Sequence, residues 1–167
     1  MRRLVIGCVL GALVVSLSAC GGSDGDSASE QTLQRKADFW EIAQIERKFH
    51  ESTTKKDIDL MMSLFSPNAT LTIGGGRTAA GKKQIRHYFL TKSVFFEPTN
   101  HWISDHPAYK LRVTVNGDRG TLHFECHYVD AKTKKVAVVV AADQEVARID
   151  GRWLITDMVG GSTTLRA

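Results

Sequence analysis

The chain has 167 residues, enough for one ordinary domain, with 22 Lys and Arg against 18 Asp and Glu. So small a net charge, with its basic pairs scattered at Lys55-Lys56, Lys82-Lys83 and Lys134-Lys135, is no nucleic-acid footprint. The three cysteines form neither a Cys-x-x-Cys pair nor a Cys/His cluster, so no metal site and no cofactor is expected.

In chain order, Arg2 and Arg3 precede an apolar run from Leu4 to Leu17. That run is as long as a signal-peptide core and short for a membrane span. After Cys20 the composition turns to Gly, Ser and Asp, with no basic stop-transfer cluster. In this setting Leu17-Ser18-Ala19-Cys20 resembles the bacterial lipobox. The resemblance implies cleavage before Cys20, lipidation of its thiol and a membrane partner reached through that lipid. It implies an exported protein on the outer face of the cell membrane. In a Gram-negative source the location would be the outer membrane, because Gly21 is not the Asp that signals inner-membrane retention. Residues 1–19 are then a signal peptide, 20–32 a flexible tether and 33–167 one domain. Cys8 leaves with the leader, and Cys126 is left without a disulfide partner.

Within the domain, Phe39, Ile42, Ile45 and Phe49 recur at helical spacing. A turn at 53–56 leads to Asp57, the expected N-cap of a short helix ending before Pro67. ATLTI reads as a strand with a flexible end at Gly74-Gly75-Gly76, and KKQIRHYFLTK reads as a third helix. The second half changes period. Strands are expected over 99–104, 109–115, 119–129, 136–149 and 152–159, with hairpin signals at Asn116-Gly117 and Asp150-Gly151. Three helices followed by a meander define an α+β domain, the helices packed on one face of a curved, mostly antiparallel sheet.

The order of KKDIDLMMSLFSPNATLTIGG, GKKQIRHYFL, TNHWISD and RIDGRWLITDM resembles the SnoaL-like branch of the nuclear transport factor 2 superfamily over residues 36 to 160. This family includes relatives of scytalone dehydratase and ketosteroid isomerase. The resemblance implies a cone-shaped fold around a central pocket, and it says little about activity, because this fold hosts many functions. Where dehydratase-like members carry a Tyr-Asp pair, this chain has Thr53 and Thr54. Where isomerase-like members carry a general-base Asp, it has Ile73, which cannot take a proton. His101 stands at a position where the dehydratases have a pocket histidine. Their second histidine falls nearest Phe124, or at His123 after a slip of one residue. Their Ser and Asn become Val140 and Ala142.

Strand alternation puts Leu122, Phe124, Cys126 and Tyr128 on the apolar face and His123, Glu125 and His127 on the polar face. His123 and His127 are about 13 Å apart along a strand and cannot share an ion. The expected pocket is lined by Phe49, Tyr88, His101, Phe124, Tyr128 and Gln144. Such a lining suits holding a small hydrophobic molecule without catalysis. Two other readings stand beside it. One is a lyase or isomerase acting on a polyketide- or steroid-like substrate with His101 as acid/base. The other is a homodimeric interaction module of the cell envelope.

Overall fold

The computed structural model describes residues 24–74, 76–104 and 108–164. The expected signal peptide and Cys20 lie outside the described residues. Helix α1 runs Asp24–Lys55, so the stretch 24–32, read from sequence as a flexible tether, is helical. Residues 28–37 of it are exposed and present no apolar stripe, which is why a periodicity reading misses the helix. Side-chain bonds four residues apart support it, from Thr32 Oγ1 to the Ala28 carbonyl (2.8 Å) and from Gln34 Nε2 to Asp38 Oδ1 (2.8 Å).

The buried face of α1 is carried by Asp38, Ile42, Ile45, Glu46, Phe49, His50 and Thr53, whereas Phe39 is 48% exposed. Asp38 thus holds the inward position that the sequence reading gave to Phe39. Burial alone would raise its carboxyl, but hydrogen bonds from Arg148, Gln34 and Trp153 outweigh burial and hold it below the usual value. The helix continues through Thr53 and Thr54, read as a turn, and closes at Lys56 in the left-handed region (φ 59°). Helix α2 (Ile58–Ser63) is capped by Asp57, whose carboxylate accepts from Leu60 N at 2.9 Å. Met61 and Met62 anchor it in the core.

Strand β1 (Phe65–Ile73) starts with a register break between Phe65 and Thr70, which takes up Pro67 where no ladder bond is needed. Gly74 and Gly76 lie in the turn of a hairpin into β2 (Arg77–Ala80), a strand too short to read from sequence. Helix α3 (Lys82–Thr91) buries Ile85 and Phe89. A 3₁₀ turn at Val94–Phe96 leads to β3 (Trp102–Ser104), followed by β4 (Lys110–Asn116), β5 (Arg119–Asp130), β6 (Val136–Ile149) and β7 (Arg152–Thr164). Gly117 turns β4 into β5 at φ 57°, while Asp150 and Gly151 both take positive φ, as a type I′ turn requires.

The sheet order is β2-β1-β7-β6-β5-β3, with β4 also on β5. Every pairing is antiparallel except β1 with β7. The three helices close the concave face over Leu122, Phe124, Tyr128, Val138, Val140 and Met158. Among the described residues no helix is long and apolar enough to cross a membrane.

Candidate functional site

At the open end of the cone lies a pocket of about 230 Å³. Its walls come from Phe49 of α1, Leu71 and Ile73 of β1, Tyr88 and Phe89 of α3, Val140 of β6 and Met158 of β7, with Ser93 and Phe95 beneath the 3₁₀ turn. Gly74, Gly160, Gly161 and Ser162 form its rim. Gly74 just after β1 and Gly160 and Gly161 within β7 leave room that larger side chains would fill. Among the described residues no Asp, Glu, His, Lys or Arg lines it. The polar groups at hand are the hydroxyls of Tyr88, Ser93 and Ser162 and the rim backbone.

Behind this pocket sits a second group of polar side chains, sealed from solvent. Glu46, His50, Thr53, Cys126 and Tyr128 are each 2% exposed or less. Tyr128 Oη lies 2.8 Å from Thr53 Oγ1 and 3.1 Å from His50 Nδ1. Cys126 Sγ stands 3.7 Å from the same ring nitrogen, and Glu46 Oε1 faces His50 Nε2 at 3.2 Å. One arrangement of protons satisfies these distances. Thr53 donates to the His50 carbonyl at 2.9 Å, so it accepts from Tyr128, and His50 Nδ1–H then donates to Tyr128. Burial pushes the Tyr128 phenol well above its ordinary value, so it acts here as a neutral hydroxyl.

An aromatic partition separates the two. Phe49, a pocket wall, packs its ring 5.8 Å from His50 and 5.5 Å from Phe124. Phe95, another wall, lies 5.1 Å from the Tyr128 ring. The turn carrying Phe95 is held from α1, since Lys56 Nζ donates to the Phe95 carbonyl at 2.7 Å and also to Asn100 Oδ1.

Of the residues the sequence singled out, Phe49 and Tyr88 line the pocket. Phe124, Tyr128 and Gln144 point inward but lie in the packed interior, with Gln144 Nε2 at 3.7 Å from Met158 Sδ. His101 does not face the pocket. Strand β3 starts one residue later, with Trp102 half-buried and Ser104 buried, and this parity leaves His101 and Ile103 exposed. Thr54 accepts a bond from Ser104 N at 3.1 Å and ties β3 to α1.

The sheet's other face is polar. His123 sits 2.7 Å from Asp143 and 3.2 Å from Glu125, while His127 stacks on Tyr109. Among the described residues no three His, Cys, Asp or Glu side chains gather where they could hold a metal ion. Sequence reasoning missed Glu46 and His50. Their signal was position, since they lie four residues apart on the stripe that carries Ile42, Phe49 and Thr53.

A cone of three helices on a curved sheet, open to an apolar pocket at one end, defines the nuclear transport factor 2-like class. The family model for the SnoaL-like domain matches residues 31–159, and the chain belongs to that family. No curated protein matches it in sequence. Among solved structures it is similar to a nuclear transport factor 2-like protein with a cystatin-like fold from Novosphingobium aromaticivorans. The two share 17% identity over 84% of this chain and 91% of that one, with a TM-score of 0.64. It is also similar to a hexachlorocyclohexane dehydrochlorinase from Novosphingobium barchaimii (18% identity, 87% and 96% covered, TM-score 0.60). A ketosteroid isomerase-like protein from Erwinia carotovora atroseptica aligns at 15% identity over 76% and 97%, with a TM-score of 0.58. At these identities the likeness concerns the fold.

Proposed function

We propose that this chain is an exported, lipid-anchored protein whose SnoaL-like domain holds a small apolar molecule in the pocket without acid–base chemistry. The observation that carries this reading is the lining itself. Among the described residues its walls are aromatic and aliphatic, with a few hydroxyls and no carboxylate, histidine, lysine or arginine. The buried Glu46–His50 pair lies behind Phe49 and already faces partners of its own. The exposed His101 offers the pocket no proton.

Every strand pairing and buried residue named above lies between Asp38 and Thr164, so a chain of residues 21–167 contains them all. Native mass spectrometry of that chain is expected to show a bound small molecule that leaves on denaturation. A clean apo mass that persists after incubation with 1-octanol would contradict ligand binding. The anchor has its own test. Labelled palmitate fed to cells making the full chain should appear on the protein and vanish in Cys20→Ser. Label retained in that variant would place the acyl chain elsewhere and end the lipobox reading.

A further inference from the structure

Between Asp59 and Glu97 the chain holds five Lys or Arg and no Asp or Glu. Two of these cations, Lys82 and Lys83, occupy the first turn of α3, where the positive end of the helix dipole disfavours them, and no acidic residue there relieves them. Helix stability therefore gives no reason for their placement. Arg86 is paired, at 2.6 Å from Asp59. Among the described residues no carboxylate pairs with Lys83, His87 or Lys92.

These three unpaired groups gather in one place. Lys83, His87 and Lys92, with Thr78, Ala79 and Gln84, line a shallow groove between α3 and β2. Tyr88 closes that groove on one side and lines the apolar pocket on the other. A cationic shelf and an apolar hole thus share a wall, and Tyr88 has the amphipathic character suited to that boundary.

We propose that the pocket's ligand is an amphipathic anion, its apolar body in the pocket behind Tyr88 and its anionic head on the shelf of Lys83, His87 and Lys92. The proposal rests on the reading that the pocket takes an apolar molecule, and it adds the charge of the head group. An anion there gains from the unpaired cations, whereas a neutral molecule of equal length gains from the pocket alone. A cation of that length meets repulsion.

The test uses three eight-carbon probes on residues 21–167 by titration calorimetry: octanoate, 1-octanol and octylammonium. Exposed ion pairs are individually weak, so octanoate is expected to bind roughly three- to tenfold more tightly than 1-octanol at low salt. Octylammonium should bind more weakly than either. The octanoate advantage should fade by about 0.5 M salt, where charges are screened within a few ångströms. The double variant Lys83→Gln, Lys92→Gln should lose the advantage while binding 1-octanol as before. Removing the first-turn cation Lys83 favours the helix, and Lys92 is an exposed residue at its C-terminal end, so the variant is expected to fold, with its melting temperature as the check. If octanoate and 1-octanol bind equally, the anionic head is refuted and the apolar pocket stands. Should none of the three bind, the pocket reading fails along with it.

Discussion

Tyr128 is the residue on which the buried polar group converges, since its hydroxyl meets both His50 and Thr53 in a region closed to bulk solvent. Tyr128→Phe keeps the ring packed against Phe95 and His50 but leaves buried polar atoms short of a partner. The expected loss is about 1–3 kcal/mol in urea denaturation at neutral pH. The pH dependence follows from the raised phenol. Below about pH 10 the hydroxyl is neutral in both folded and unfolded chains. Above that the unfolded chain ionises first, so the wild-type protein loses stability with rising pH. The Phe variant has no such component, and the gap between the two should narrow from about pH 10 upward. A gap that stays constant into alkaline solution would mean that the phenol is not shielded. Glu46 and His50, which complete the group, escaped the sequence reading because polar residues on a helix ordinarily face water. His101 drew notice instead through the family resemblance, but β3 has the opposite parity, with Trp102 and Ser104 inward.

At the scale of elements, the meander was legible because alternation and turn residues agree. β5, β6 and β7 were expected within a residue at their starts, and Asp150-Gly151 forms the turn its sequence suggests. The elements that escaped lack periodicity. β2 is four residues of mixed polarity, and the first turns of α1 have no apolar face. Gly120 shows what sequence alone does not announce. A Cβ there would meet the Thr114 carbonyl oxygen at 2.4 Å and Ile42 Cδ1 at 3.1 Å, because β4 crosses β5 closely under α1. Gly120→Ala is therefore expected to cost about 1–3 kcal/mol by overpacking. Gly161→Ala, with nothing within 4 Å of the added methyl, should melt near the wild type. Equal melting temperatures for the two variants would show that β4 and β5 do not approach as closely as described.

For the molecule as a whole, the fold follows from the order of its elements, but the use of the cone depends on what occupies its open end. Thr54 and Ile73, the positions where the sequence resemblance implied lost acidic residues, both do structural work. Thr54 bonds to β3, and Ile73 lines the pocket. What remains is a cavity shaped by Phe49, Tyr88, Val140 and Met158. Filling it from within tests its role directly. Val140 lines the pocket and is 4% exposed, so Val140→Phe places a ring in space that is otherwise open. Calorimetric titration of 1-octanol into the wild-type domain and this variant is the decisive comparison. The wild type should bind with a negative heat-capacity change, the mark of apolar burial. Val140→Phe should keep its fold and bind at least roughly tenfold more weakly, the loss of about 1.4 kcal/mol of contact. Equal affinity in the two proteins would place the ligand elsewhere and contradict the assignment of this pocket.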